Sequence, residues 1–150
     1  MSGGEGVFLL KIRLSQVVDA IRSASNEFEY FYDTETGKTV FLADESITGI
    51  DNEKLAGLIE NSGDRFRRFP TKYDIHEYHI MENFVYSLPA GAAKQELVTA
   101  ICGRGAFRRF KQEIHYHRIE PQWYAFQAQA YREIAIQWCQ EERLEYEDDT

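Results

Sequence analysis

Two short segments of this sequence concentrate positive charge and contain no acidic residue. Residues 65–72 (RFRRFPTK) and residues 103–111 (GRGAFRRFK) each hold four basic residues. The whole 150-residue chain has only 17 lysines and arginines against 25 acids, a formal net charge of −8. Guanidinium groups bind phosphate or carboxylate through paired hydrogen bonds, so such clusters in an acidic chain indicate anion sites. The candidate ligand-binding residues are Arg65, Arg67, Arg68, Lys72, Gly103, Arg104, Gly105, Arg108, Arg109, Lys111 and His115.

The second segment has the residue order of a helix entrance that binds an anion. A helix is predicted over 106–117, with Arg108, Lys111 and His115 on one stripe. Arg104 would lie one turn before this stripe, at the helix entrance. The two glycines that flank it would let backbone amides approach a ligand where the helix dipole favours negative charge. This arrangement suits a phosphate or a carboxylate.

The same arginines also have a structural interpretation. Arginine stems pack well over aromatic rings, so the Phe-Arg-Arg-Phe sequence at 107–110 would be a core face with a solvated back. In that helix Phe107, Phe110 and Ile114 would form the buried face. The arginines of 65–68 would then neutralise acids of a neighbouring hairpin, namely Glu27, Glu29, Asp33 and Glu35. Ion-pair networks often resemble functional clusters, so both interpretations stay open.

The first half of the chain is predicted to be rich in strands. Residues 7–12 are expected to be extended, and Ser15 is expected to cap a helix that buries Val17, Val18 and Ile21. The clearest signal is a hairpin with strands at 28–32 and 39–42. Gly37 can supply the positive φ that its turn needs, and Asp33 is expected to pair with Lys38 across the base.

Further elements complete an α+β plan. A short helix at 52–61 would turn Leu55, Leu58 and Ile59 inward, and an edge strand is predicted at 65–69. The remaining segments are predicted helices: 74–88 with Asp74 as its cap, 94–102, 106–117, and 122–142 opened by Pro121. An N-terminal helix, a β-hairpin and a third short strand would thus pack on a helical C-terminal half. One domain is expected over 1–150, with loose ends at 1–6 and 145–150.

Several protein classes are excluded by absent patterns. No apolar run approaches the length of a spanning helix, and the run at 7–10 is broken by Lys11 before it could form a signal-peptide core. Cys102 and Cys139 form no paired motif, and both are expected to be buried free thiols. The pattern predicts a cytoplasmic, bacterial-type protein without a membrane partner.

No catalytic or metal-binding residue is assigned. His76 and His79 are three residues apart rather than the four of the zinc-protease motif, although on one helix they could share a metal. His115 and His117, two apart, would diverge on a helix. The sequence contains no nucleophile elbow, Walker loop or dinucleotide fingerprint, so no cofactor is predicted and a non-enzymatic role is favoured.

Three segments in this order resemble a known family. They are DIHEYHIMENF at 74–84, GRGAFRRFK at 103–111 and EPQWYAFQAQAYREIAIQW at 120–138. Their combination resembles the bacterial uncharacterised protein family numbered 0158, and the hairpin sequence YFYDTETGKTVFL at 30–42 fits the same family. The resemblance spans nearly the whole chain. It implies a small cytosolic bacterial domain and brings no activity, cofactor or catalytic residue with it.

Two functions remain open at this point. The first is a non-enzymatic binding module that recognises an anionic ligand, a nucleotide or a short single-stranded nucleic acid, through the two arginine-rich clusters. A net charge of −8 opposes wide tracking of a long duplex, so a short ligand fits better. The alternative is a protein-interaction or regulatory adaptor, including a homodimer, without a small-molecule ligand. The sequence does not decide whether the two clusters meet in space.

Overall fold

A computed structural model describes residues 11–49 and 51–150 and has the α+β architecture that the sequence predicts. The predicted loose start at 1–6 and most of the predicted extended segment at 7–12 lie outside these residues. The chain forms two compact units. The first comprises the chain up to Ile75 together with Arg132–Thr150, and the second is His76–Tyr131. A single domain over 1–150 stays a prediction.

The first unit holds the strands and the short helices. Its elements are β1 (Ile12–Arg13), α1 (Leu14–Ser23), β2 (Phe28–Asp33), β3 (Thr39–Ala43), α2 (Glu45–Thr48), α3 (Glu53–Asn61), β4 (Phe66–Arg68), α4 (Lys72–Ile75) and β5 (Tyr146–Glu147). The last helix, α8 (Glu120–Glu141), contributes its residues from Arg132 onward to this unit. There Trp138 packs its ring on Phe69 with centroids 4.9 Å apart.

The hairpin is confirmed, and the predicted edge strand joins it. Strands β2 and β3 pair antiparallel, with Tyr30 opposite Phe41, and β4 pairs antiparallel with the other side of β2. The strand order is therefore β3-β2-β4, with β4 at an edge. Gly37 has φ 74°, as the turn requires. The Asp33 amide donates to the Lys38 carbonyl at 2.9 Å, but the Asp33 carboxylate binds another partner, described below.

The C-terminal residues 145–150 are not a loose end. Strand β5 pairs parallel with β1, with Ile12 opposite Tyr146. The Ser15 hydroxyl donates to the Asp149 carboxylate at 2.6 Å, and the Ser15 amide donates to it at 2.8 Å. Ser15 lies inside α1 rather than at its cap, so the expected capping role is wrong. The long-range contact holds the tail because the two carboxylate oxygens accept both donors.

Two predictions about helices are wrong: the buried face of the helix at 52–61 and the continuous helix at 74–88. Helix α3 has no fully buried residue, and Leu58, expected to point inward, is 45% exposed. An open groove lies between the start of α3 and β3. The predicted helix at 74–88 is divided at His76, whose φ of 55° is left-handed. Asp74 lies inside the short α4, and its amide donates to the hydroxyl of Thr71 at 3.2 Å, so Thr71 rather than Asp74 caps that helix. The Asp74 carboxylate in turn accepts from the amide and hydroxyl of Thr71.

The second unit is helical. It contains α5 (Glu77–Ser87), α6 (Ala92–Ala100), α7 (Ala106–Tyr116) and the part of α8 up to Tyr131. Aromatic rings form its core: Phe110 lies 4.8 Å from Trp123 and 6.1 Å from Phe84, in edge-to-face contacts. Such geometry is the favoured one for aromatic pairs.

Two side chains expected in the core lie at the surface. Cys102 is exposed, whereas Cys139 is buried as expected. Phe107 is 42% exposed, because the buried face of α7 runs through Ala106, Phe110 and Ile114. Within the described residues, no helix combines the length and the apolar character needed to cross a bilayer.

Candidate anion-binding site at the start of helix α7

The first basic cluster is largely engaged in ion pairs within its own unit. The Arg65 guanidinium donates from Nε and Nη2 to the two carboxylate oxygens of Asp33, each at 2.9 Å. Glu35 lies 3.6 Å from the same guanidinium. The Arg65 hydrogen bonds hold the pKa of the buried Asp33 carboxyl well below its usual range. Arg65 therefore neutralises the hairpin turn, as the structural interpretation predicted.

The other strand arginines also have acceptors. Arg67 donates to the backbone carbonyls of Asp64 at 2.8 Å and Glu142 at 2.7 Å. Arg68 pairs with Glu29 at 2.9 Å, with both side chains more than half exposed. Lys72 lies exposed in α4. An anion at this cluster would have to displace bonds already made by all three arginines.

In the second cluster, Arg109 organises the loop rather than facing a ligand. Its guanidinium donates to three backbone carbonyls: that of Ala100, the last residue of α6, at 2.9 Å, and those of Cys102, at 2.5 Å, and Arg104 in the loop that follows. The Ala100 carbonyl lies at the negative end of the α6 dipole, where a cation is favourable. Arg109 thus closes the loop between α6 and α7 and fixes the position of the residues at its tip.

The glycines of this loop meet two different demands. Gly103 and Gly105 have φ of 75° and 74°, in the left-handed region. A Cβ at Gly105 would also lie 3.1 Å from Arg109 Nη1. Glycine at 105 therefore allows both the turn and the close approach of the guanidinium.

Three cations of the second cluster remain available. Arg104, Arg108 and Lys111 are exposed, and none of their side chains has a hydrogen-bond or ion-pair partner among the described residues. Helix α7 begins after Gly105 without a side-chain cap and without an acid in its first turn. His115 differs, because its Nδ1 lies 2.7 Å from a Glu120 carboxylate oxygen, which opposes an anion there.

An aromatic surface that the sequence reasoning assigned to the core adjoins these cations. Phe107 and Tyr78 meet edge to face with ring centroids 6.4 Å apart, and Tyr78 is 36% exposed. The Tyr78 hydroxyl donates to the Ile101 carbonyl at 2.6 Å, which ties this ring to the loop. Lys111 follows Phe107 by one helical turn, so a cation and an exposed ring share a face of α7. In the sequence, the adjacent Phe107 and Arg108 are the feature that could have indicated this surface.

The candidate site thus combines three cations whose side chains have no partner among the described residues, a helix start without a side-chain cap, and an exposed ring. The chain belongs to an uncharacterised protein family (UPF0158), which it matches over residues 9–149, and the predicted resemblance is confirmed. It is similar to a UPF0158 protein of Pseudomonas aeruginosa, 22% identical over 118 residues that cover 78% of this chain and 74% of that protein. No solved structure matches the chain.

Proposed function

We propose that this chain is a non-enzymatic binding module that holds the phosphates of a nucleotide or a short single-stranded nucleic acid at the start of α7. The observation that carries the proposal is the contrast between the two basic clusters. The three strand arginines are bonded to acceptors of their own unit, whereas Arg104, Arg108 and Lys111 have none among the described residues. Unpaired, closely spaced cations favour an external anion.

The chemistry of binding follows from the loop geometry. Arg104 and Arg108 present guanidinium groups that can take two phosphate oxygens each. Lys111 adds a point charge, and the first amides of α7 add the positive end of the helix dipole. The exposed face of Phe107 offers a surface on which a base can stack. Arg109 acts as a positioning residue, because it holds the loop through backbone carbonyls.

The size of the site favours a short ligand. With a net charge of −8, the surface as a whole repels a polyanion, so favourable contacts are confined to the cluster. The exposed ring supports an unpaired base, since bases stacked inside a duplex have no free face. We also propose a cytoplasmic location, in keeping with the two free thiols.

The test is the affinity for a fluorescein-labelled single-stranded oligonucleotide, measured by fluorescence anisotropy over a series of salt concentrations. We expect the R104A/R108A variant to bind more than about tenfold more weakly. The plot of log affinity against log salt concentration has a negative slope, and this slope should become less steep by about 1.4. Two phosphate contacts are lost, and each contributes about 0.7 to the slope. ATP should compete if a single nucleotide suffices.

The control removes two positive charges from exposed positions of the other unit. The K38A/K54A variant has the same net charge as R104A/R108A. We expect it to bind like the wild type, and both variants to keep the thermal unfolding temperature because exposed substitutions change stability little. Equal losses in both variants would show a net-charge effect only, and no binding by the wild type would overturn the proposal.

A second candidate function is a protein-interaction adaptor, which the outer surface of the hairpin favours. Phe28 and Phe41 meet edge to face at 5.4 Å, and Tyr30 lies 6.2 Å from each ring. Phe41 is 48% exposed, so part of this aromatic cluster faces outward. If this surface forms a homodimer, sedimentation velocity should show concentration-dependent association that F41T weakens. A monomer at every concentration would contradict the homodimer.

A further inference from the structure

Three side chains with metal-ligating atoms converge between helices α6 and α7. Glu96 comes from α6, Glu113 lies one turn from the end of α7, and His117 follows α7 directly. One atom of each lies within 4.8 Å of the other two. His117 Nε2 is 2.8 Å from a Glu96 oxygen and 3.5 Å from Glu113 Oε2. The spacing of four residues between Glu113 and His117 places them on one helical face.

Glu113 and His117 are partly withdrawn from solvent, whereas Glu96 is half exposed. The Glu113 Oε2 atom is inaccessible to solvent and has no hydrogen-bond donor among the described residues. The His117 side chain is 15% exposed. Buried polar atoms are normally satisfied, so an unsatisfied carboxylate oxygen beside an imidazole calls for a cation. Two carboxylates this close together also repel each other unless a positive charge lies between them.

We propose that Glu96, Glu113 and His117 bind a divalent first-row transition-metal ion, for which Zn²⁺ is the fitting probe. Imidazole nitrogen with carboxylate oxygen is a donor set that Zn²⁺ accepts, and three protein ligands leave one coordination position open. Metal–ligand bonds of about 2.0–2.2 Å place tetrahedral ligand atoms about 3.4 Å apart. The Glu113–His117 separation of 3.5 Å matches this value.

Only one ligand needs to move for coordination. The Glu96 oxygen is closer to His117 than a shared metal allows, because the two groups are hydrogen-bonded at 2.8 Å. The Glu96 side chain is half exposed and borders an open cleft lined by Thr99, Gln112 and Glu113. Its carboxylate has to move away from the His117 nitrogen, from 2.8 Å to about 3.4 Å, to admit the ion, and exposed side chains change rotamer readily. None of the three ligands belongs to the proposed anion site.

The experiment is a Zn²⁺ titration of EDTA-treated, dialysed protein at neutral pH, in competition with a chromophoric chelator. Native mass spectrometry gives the stoichiometry. We expect one Zn²⁺ per chain, and an affinity loss of more than about tenfold for each of E96Q, E113Q and H117Q, since substitution of even an outer-shell partner has this effect. With Co²⁺ as the probe, the visible absorption should change on binding to the wild type and not to H117Q.

A matched histidine–carboxylate pair provides the control. His79 Nδ1 lies 3.6 Å from Glu82 on α5, and that pair belongs to no three-ligand cluster of the described residues. We expect H79Q to bind Zn²⁺ like the wild type. E96Q shows whether a loss of affinity comes from misfolding. Its side chain is half exposed, so its unfolding temperature without metal should match that of the wild type.

Three outcomes would overturn the proposal. One is Zn²⁺ affinity that H117Q leaves unchanged, and another is an equal loss in H79Q. The third is binding of Mg²⁺ or Ca²⁺ alone, since these ions prefer oxygen ligands only. In the first two cases Zn²⁺ would bind outside the cluster of Glu96, Glu113 and His117, and in the third case the cluster would not be a transition-metal site.

Discussion

The Asp33–Arg65 pair should stabilise the first unit far more than the Arg68–Glu29 pair, although both pairs are 2.9 Å long. Asp33 is 3% exposed, whereas the side chains of Arg68 and Glu29 are 57% and 51% exposed. Both acids lie on β2, but Asp33 is buried and accepts two hydrogen bonds from Arg65, whereas Glu29 makes one exposed contact with Arg68. Substituting the acid of each pair with its amide, D33N against E29Q, therefore compares a buried, doubly bonded ion pair with an exposed one.

The expected loss follows from the bonds that Asp33 makes. Its carboxylate accepts two hydrogen bonds from Arg65 and one from the Glu35 amide, and asparagine keeps only one acceptor oxygen. One charge-assisted hydrogen bond and the counter-charge of Arg65 are lost, which we estimate at about 2–3 kcal/mol. Glu35 retains part of the attraction, which keeps the loss below the 3–5 kcal/mol typical of fully buried pairs.

Urea unfolding followed by tryptophan fluorescence measures this difference. We expect the free energy of unfolding of D33N to fall by about 2–3 kcal/mol at pH 7, and that of E29Q by less than about 1 kcal/mol. The unfolding temperature of D33N should drop by about 5–10 °C. Equal losses in both variants, or a loss below about 1 kcal/mol in D33N, would refute the burial argument.

The pH dependence gives the same test a second readout. Because Arg65 lowers the pKa of Asp33 in the folded chain, the stabilisation is fully present above the pKa of an unfolded aspartate, near 4. It is lost as the pH falls from about 5 towards the lower folded pKa. D33N has no such carboxyl, so the stability gap between wild type and D33N should narrow in acid. A gap that stays constant down to about pH 2 would contradict the assigned cause.

Three more predictions follow from the contacts described above. R109A removes all three hydrogen bonds to the α6–α7 loop and should lower the free energy of unfolding by about 2 kcal/mol, measured by thermal unfolding. R109K should not restore this stability, because a lysine ammonium cannot reach three separate carbonyls as the planar guanidinium does. Burial raises the pKa of Cys139 to about 11, so native protein should react with a disulfide reagent at the exposed Cys102 alone and at both thiols once denatured. Deletion of 145–150 should lower the unfolding temperature because β1 loses its partner strand; an unchanged value would show that the pairing contributes nothing.

The sequence located the candidate site but could not say which of its cations were free. The sequence offered Asp33 and Glu29 as partners of the strand arginines, and both are confirmed. The Glu142 carbonyl that accepts from Arg67 lies 75 residues away along the chain, so no local pattern identifies it. Arg109 bonds carbonyls five to nine residues back, a contact that depends on the loop closing. The proposed zinc ligands were missed for the same reason, since Glu96 lies in α6 and His117 follows α7.

The sequence by itself determined the hairpin with its turn at Gly37, the division into strands and helices, and the family. These features depend on periodicity, turn chemistry and neighbouring residues, which act within a few positions of the chain. The tertiary structure alone decided that β5 pairs with β1 and that Phe107 is half exposed. It also decided which arginines are hydrogen-bonded to acceptors of the same chain, because charge pairing and burial depend on segments that only folding brings together.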